Sequence, residues 1–186
     1  IATQLVFTKQ PSGAANGVAM STQPIVTARD ASSLTDTDFT DTIALSESGT
    51  GSLVNPSLSA TSGVATFSTV QSTAVTDQET VTLTADDASG GSGGDQGSVA
   101  ASSLTASAGA ASQVDLSFDG SAIQADGSST KSVSVLVLDA TGLQRSTDSA
   151  TSVTLAVSGT GTGGGTQTVT GGSATFTVTS TTSVGT

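Results

Sequence analysis

The sequence predicts an all-β fold arranged as two tandem units. Apolar residues alternate with Ser and Thr in most segments, which is the period of a half-buried strand, and no segment shows a helical period of useful length. Four landmarks also recur at an offset of 109 or 110 residues (113−4, 139−30, 159−49 and 176−67). A fixed internal period indicates repeated domains. The recurring pairs are Gln4–Phe7 with Gln113–Leu116, Arg29–Ala31 with Leu138–Ala140, Ser48–Gly51 with Ser158–Gly161, and Gly63–Phe67 with Gly172–Phe176.

The first unit is expected to hold seven strands separated by turn-rich segments, which is the strand count of an immunoglobulin-like β-sandwich. The Gly- and Ser-rich segment Asp86–Gly97 is interpreted as a long hairpin loop between the last two strands, because alternation resumes after it. The predicted strands lie near Gln4–Thr8, Gln23–Arg29, Thr42–Ser46, Ser57–Ala60, Val64–Thr69, Glu79–Ala85 and Ser98–Thr105.

The second unit is expected to begin near Gln113, so the predicted domains are residues 1–106 and 113–186, with a short linker at 107–112. By the repeat, Thr186 lies where the penultimate strand should start, so the second immunoglobulin-like sandwich is predicted to lack its last two strands. Two explanations stay open: the sequence is a segment of something longer, or a neighbouring subunit supplies the strands, as in donor-strand polymers. The predicted strands lie near Gln113–Phe118, Ser121–Gln124, Lys131–Leu138, Ser152–Val157, Thr166–Thr170 and Ser173–Thr179.

The aromatic residues are predicted to serve packing. Phe7, Phe67 and Phe176 fall on the apolar faces of alternating strands, Phe118 is expected at a turn beside the core, and Phe39 is expected to plug one end of a sandwich. The apolar faces of the second unit are predicted to comprise Val133, Val135, Val137, Val153, Leu155, Val157, Ala174, Phe176 and Val178.

Composition argues against several classes of function. The chain has no Cys, His, Trp or Tyr, so the usual zinc ligands, the thiol nucleophile and the imidazole base are missing. A Ser/Lys pair is the one nucleophilic arrangement left formally open, and no enzyme activity and no catalytic residue are predicted. The net charge of −11 with four Lys and Arg argues against nucleic acid and anionic membrane surfaces as partners. No apolar run is long enough to span a membrane.

Acidic residues crowd one loop of the first unit. Asp36, Asp38 and Asp41 lie close in sequence, with Asp30 upstream and the pair Asp86–Asp87 at a strand end. Calcium often draws oxygen ligands from such loops, although this spacing is not that of an EF-hand. The alternative is a solvated turn in which Asp side chains accept backbone hydrogen bonds. No cofactor or metal ligand is therefore assigned, and calcium stays an open alternative.

The second unit resembles the bacterial immunoglobulin-like repeats of invasin and intimin type found in large surface adhesins. The resemblance rests on Val114–Ser117, Ala125–Ser129, Val133–Asp139 and Gly172–Val178 in that order, and Leu5–Phe7 with Gln10–Gly13 in the first unit resemble looser relatives. Asp139–Gly142 keeps the aspartate and glycine of the family's turn but lacks the Asn that usually follows. The resemblance implies a stalk or spacer at a cell surface, and carries over no receptor-binding residue.

Two functions are therefore weighed. The first is a non-enzymatic structural repeat of a secreted or cell-surface protein, such as an adhesin stalk, a surface layer or a filament, with neighbouring repeats of the same or an adjacent chain as partners. The alternative is a carbohydrate- or protein-binding module of a secreted enzyme or a phage particle. Sugar sites usually stack on exposed Trp or Tyr, which this chain lacks, so the composition favours the first.

Overall fold

The computed structural model describes residues 1–87 and 94–182. Every regular element in these ranges is a β-strand, which confirms the all-β prediction. The chain divides into two compact units, Ile1–Gly109 and Ala110–Thr186. No helix in the described ranges is long and apolar enough to cross a membrane.

The first unit is built from short strands joined by turns. Its strands are β1 (Gln4–Lys9), β2 (Ala14–Ala15), β3 (Ile25–Arg29), β4 (Thr42–Glu47), β5 (Ser52–Val54), β6 (Ser57–Ser59), β7 (Val64–Thr66), β8 (Gln71–Thr73), β9 (Glu79–Val81), β10 (Leu83–Asp87), β11 (Val99–Ala100) and β12 (Leu104–Ser107).

These strands form several small sheets. The first has the order β1-β3-β7, and a second has the order β11-β10-β4-β6. The strands β2, β12 and β9 form a third sheet in which β2 and β12 run parallel, and β5 pairs with β8. Apart from that parallel pair, the ladders of this unit are antiparallel.

The core of the first unit follows the alternation of the sequence. Inward-facing side chains of β1 and β3 are buried, and so are those of β4 and β10, while Thr and Ser occupy many of the outward positions. Phe67 is buried as predicted, and Phe39 is buried as well, which agrees with its expected role as a plug. The main buried side chains are Leu5, Phe7, Val26, Ala28, Ile43, Leu45, Val81, Leu83, Ala85 and Leu104.

Five predicted strands of this unit are shorter or interrupted; two of them, Gln23–Arg29 and Ser57–Ala60, lose only one or two end residues. Glu79–Ala85 breaks at Thr82 because its two halves pair with different strands, β9 with β12 and β10 with β4. Ser98–Thr105 is likewise split between β11 and β12. The strand predicted at Val64–Thr69 ends at Thr66, where its partner strand begins after Pro24, a residue with no N–H to donate. In the hairpin loop expected over Asp86–Gly97, residues 88–93 lie outside the described residues.

The second unit contains a smaller set of strands. One sheet has the order β13-β14-β18-β16, and β15 pairs with β17 in another. Its buried cluster is formed by Val135, Val137, Val153, Val169, Ala174 and Phe176, with Val133 and Leu155 packed against it. The strands are β13 (Gln113–Phe118), β14 (Thr130–Leu138), β15 (Ser152–Leu155), β16 (Thr162–Gly163), β17 (Gly165–Thr168) and β18 (Ser173–Thr179).

The prediction of a strand at Ser121–Gln124 is wrong. The segment carries no strand, and polar side chains hold its surroundings in turns. Lys131 Nζ donates to the Asp119 carboxylate and contacts the Ser121 hydroxyl. Asp126 Oδ1 accepts from Ser129 N at 2.6 Å and Ser128 N at 2.8 Å. Such local bonds offer the backbone an alternative to a sheet ladder.

Candidate functional site

The same Asp turn occurs at matching positions of the two units. Asp30 Oδ1 accepts hydrogen bonds from Ser32 N at 2.8 Å and from Leu34 N at 2.9 Å. Asp139, 109 residues further on (139−30), accepts from Thr141 N at 2.8 Å and Leu143 N at 3.0 Å through Oδ1. These carboxylates hold a turn through local side-chain bonds. Asp30 is thereby engaged in turn structure, and not with the acidic loop downstream of it.

A glycine is also required at matching positions. Gly63 and Gly172 both adopt positive φ, 79° and 70°. A Cβ on Gly63 would collide with the carbonyl oxygen of Asp36, and a Cβ on Gly172 with that of Arg145. The backbone of this corner is therefore the same in both units and depends on glycine for close approach.

The acidic loop of the first unit does not gather its carboxylates. Asp36 Oδ1 accepts from Asp38 N at 3.2 Å, and this bond is the main reason that the pKa of Asp36 lies below its usual value. Asp38 is exposed and Asp41 half-buried. Within the described ranges, the group of carboxylates close enough to share an ion is Asp86, Asp87 and Asp95. The pair Asp86–Asp87, which the sequence places at a strand end, therefore lies close to Asp95. Sequence spacing alone does not identify Asp95 as a member of this group.

The corresponding loop of the second unit is held by a carboxylate. Asp148 Oδ2 accepts from the Thr151 hydroxyl at 2.7 Å, and its Oδ1 accepts from Thr151 N at 2.9 Å and Ala150 N at 3.0 Å. Its register position matches that of Phe39 (148−109 = 39). One unit closes this corner with an aromatic plug and the other with hydrogen bonds.

The Asp148 bonds make this corner of the second unit sensitive to acid. The Thr151 hydroxyl, followed by the Ala150 and Thr151 amides, lowers the pKa of Asp148 to about 2. Because the folded pKa is depressed, the stabilisation is present above the ordinary carboxyl pKa of about 4 and is lost as the pH falls through about 2. We expect Asp148→Asn to lower the melting temperature of the second unit most above pH 4. The difference between variant and parent should shrink toward pH 2, and a pH-independent difference would contradict this role.

The second unit exposes the apolar face of its first strand. Every residue of β13 is exposed, with Val114 at 55% and Leu116 at 48%. Their counterparts in β1, Leu5 and Phe7 (114−109 and 116−109), are only 3% and 7% exposed. The same register therefore gives a covered face in one unit and an open face in the other.

Within the described ranges, the exposed face of β13 borders a groove, and one edge of β15 nearby has no partner strand. The groove has a volume of about 270 Å³ and is lined by Val114, Leu116, Val153, Leu155 and Phe176, among others. In the first unit, β4 pairs with β6 along one edge and with β10 along the other. Within the described ranges, β15 pairs with β17 alone. Among the residues that the structure describes, the second edge of β15 therefore has no partner strand, and such an edge presents backbone groups that can pair with another strand.

The strand β15 is also shorter than its counterpart β4. β4 continues through Ser46 and Glu47, which pair with Thr84 and Leu83 of β10. The matching residues Ala156 and Val157 (156−110 and 157−110) lie outside any strand. We call the surface formed by β13, the free edge of β15 and the groove between them the open face.

Comparison with known proteins gives only weak structural similarity. No protein family matches the sequence, and no curated protein matches it. The chain is similar to a solved glycosyl hydrolase family 2 member from Bacteroides cellulosilyticus DSM 14838, at 20% identity and a TM-score of 0.39, over 91% of this chain and 22% of that one. A second structure of a family 2 member from Bacteroides cellulosilyticus matches at 18% identity and a TM-score of 0.38, over 88% and 20%. The chain thus spans about a fifth of the length of these structures.

Proposed function

We propose that this chain is a non-enzymatic structural segment of a secreted or cell-surface protein, made of immunoglobulin-like repeats of the invasin and intimin type. The observation that carries the proposal is the parallel pairing of β2 with β12. Ala14 pairs with Ala106 and Ala15 with Ser107, and Asn16 N donates to Ser107 O at 2.8 Å. An early strand and the last strand of the first unit are thereby joined side by side.

Such a pairing suits a spacer that carries tension. Inter-strand hydrogen bonds lie across the strands, so a force along two parallel strands from opposite ends loads all of them together. A force applied just before β2 pulls on that strand from its start, and a force applied after β12 pulls on that strand from its end. The bonds between them then resist in shear and do not open one at a time.

The features common to both units also support a structural role. The shared positions are core and turn residues: Val26 with Val135, Ala28 with Val137, Phe67 with Phe176 and Asp30 with Asp139. The acidic loop is not shared, since Asp36, Asp38 and Asp41 correspond to Arg145, Thr147 and Ala150. The residues that recur are therefore those that form the core and the turns, whereas the acidic side chains of the loop do not recur.

Single-molecule pulling tests the spacer directly. The chain has no Cys, so cysteine handles can be placed at will. Handles at Ser12, just before β2, and Ala111 load β2 against β12 in shear, and unfolding of the first unit should release roughly 35 nm of chain. Handles at Thr3 and Ser32 instead open the β1–β3 pair from its end. We expect a higher unfolding force in the first geometry, and equal forces would contradict the proposal.

A second candidate function is a binding module, and the groove on the second unit is the observation that favours it. The composition opposes a sugar site, because the chain has no Trp or Tyr to stack on a pyranose ring. A glycan array separates the two readings. Selective binding of one glycan, lost in Leu116→Ser, would favour the binding module over the spacer.

The partner that the open face fits best is a segment with the strand pattern of β9–β12. In the first unit, Leu5 and Phe7 are buried, β11 contacts β1, and β10 pairs with the edge of β4. A strand entering the second unit in the same register would place its Ala85-like residue opposite Leu155 and its Leu83-like residue opposite Val157. The pairing would supply main-chain bonds for affinity and alternate apolar side chains for specificity.

A further inference from the structure

Three carboxylates meet where β10 ends and the chain returns toward β11. Asp86 and Asp87 are the last residues of β10, and Asp95 lies on the returning segment before β11. Antiparallel pairing of Ala85 with Val99 brings the two segments side by side. One carboxylate oxygen from each of the three residues lies within 4.8 Å of the other two.

Asp87 is the unusual member of this cluster. Its side chain is only 2% exposed, whereas Asp86 and Asp95 face solvent. Oδ1 accepts a hydrogen bond from Gln96 N at 3.0 Å, but Oδ2 is buried and has no hydrogen-bond partner among the described residues. A buried charged oxygen without a partner is costly, so this arrangement needs a compensating group.

The surroundings of Asp87 add negative charge and no cation. Burial raises the pKa of Asp87, and the charges of Asp95 and Asp86 raise it further against the opposing effect of the Gln96 amide. The ion pairs of the described residues are formed by Ile1, Lys131 and Arg145 with Asp36, Asp119 and Asp148, so none of them reaches this cluster. The compensating charge is therefore either a proton or a bound cation.

We propose that Asp86, Asp87 and Asp95 bind a divalent cation of the calcium class. Calcium takes six to eight oxygen ligands, and carboxylates, backbone carbonyls and waters all serve. Three converging carboxylates, one of them on the buried Asp87, supply the core of such a shell. The absence of Cys and His from the chain excludes the softer ligands that would favour zinc.

Binding at this position would join the two sides of the β10–β11 hairpin. The ion would offset the repulsion among three carboxylates and fix the returning segment against β10. Because β10 also pairs with β4, the effect would reach the sheet β11-β10-β4-β6. The site would make the stability of the first unit depend on calcium, as suits a protein working where calcium is abundant.

Thermal unfolding of the full chain, followed by circular dichroism, tests the site. At pH 7.5, we expect 1 mM CaCl₂ to raise the melting temperature of the first unit by about 4 °C or more relative to EGTA. Asp95→Asn should remove most of this rise, and since Asp95 is exposed the variant should still fold. Asp38→Asn, an exposed acid of the other loop, is the matched control and should keep the full rise.

Asp87→Asn, compared in calcium and in EGTA, tests the buried carboxylate itself. The variant should lose most of the calcium response, because its side-chain amide supplies no charged ligand oxygen. Equal calcium shifts in the parent and Asp95→Asn would mean an adventitious ion only, and no shift at all would also overturn the site. Either failure leaves the spacer proposal to its own pulling experiment.

Discussion

Appending a second copy of residues 78–107 after Thr186 is expected to stabilise the second unit by about 3 kcal/mol. The segment carries β9–β12 and begins where the repeat places it, since Thr186 corresponds to Asp77 (186−109). Its strands would cover Val114, Leu116 and Leu155, each of which still has much apolar surface in water. Burying the rest of three such side chains contributes about 1 kcal/mol each. Urea unfolding followed by NMR signals of the second unit measures the change.

The matched control carries the same appended segment with its inward residues made polar. In the first unit, Val81, Leu83 and Ala85 are fully buried, so Ser at the three copied positions removes the apolar face and keeps the length. We expect no stabilisation from this control. The same segment added as a free peptide distinguishes strands supplied by another molecule from strands supplied in the same polypeptide. Equal stability with the native and the Ser-substituted extension would contradict the proposal that strands with the pattern of β9–β12 bind the open face.

Truncation of matched residues in the two units should have very different effects. Phe7→Ala removes a buried ring from the first unit and should cost about 3–5 kcal/mol. Leu116→Ala, at the same register position, removes a half-exposed side chain and should cost less than about 1 kcal/mol. The expected contrast in stability follows mainly from the different burial of these two side chains. Equilibrium urea unfolding of each variant, observed separately for the two units, measures both values.

Phe176→Ala supplies the control for this comparison. Phe176 is fully buried in the cluster of the second unit, so its truncation should again cost about 3–5 kcal/mol. A large loss of stability in Phe176→Ala would show that the buried cluster stabilises the second unit. The small effect expected for Leu116→Ala would then be specific to β13. A loss at Leu116 as large as that at Phe7 would mean that β13 is covered in solution, which contradicts the open face.

The parts of the fold that depend on periodicity were predictable from the sequence. Alternation placed Val135, Val137 and Phe176 in the core, because the period of a strand fixes which residues share a face. The burial of Phe39 followed from an aromatic residue in an otherwise acidic loop. These features depend on neighbouring residues, which one sequence shows directly.

Features that depend on distant pairing were not predictable. The break at Thr82 arises because β9 and β10 join different sheets, and alternation alone continues through it. The exposure of Val114 and Leu116 does not show in their own alternation, which matches that of the buried Leu5 and Phe7. Asp95 lies close to Asp86 and Asp87 because β10 and β11 pair with each other, and sequence spacing alone does not show this pairing.

Amide hydrogen exchange at Ala156 and Val157 tests the central claim most directly. In the unmodified chain these residues lie outside any strand, so their amides should exchange freely. With residues 78–107 appended, the segment should extend β15 as Ser46 and Glu47 extend β4, and protection should appear at the amides that face the new strand. Protection of these amides before the extension is added, or no protection after it, would contradict the proposal that the free edge of β15 accepts an added strand.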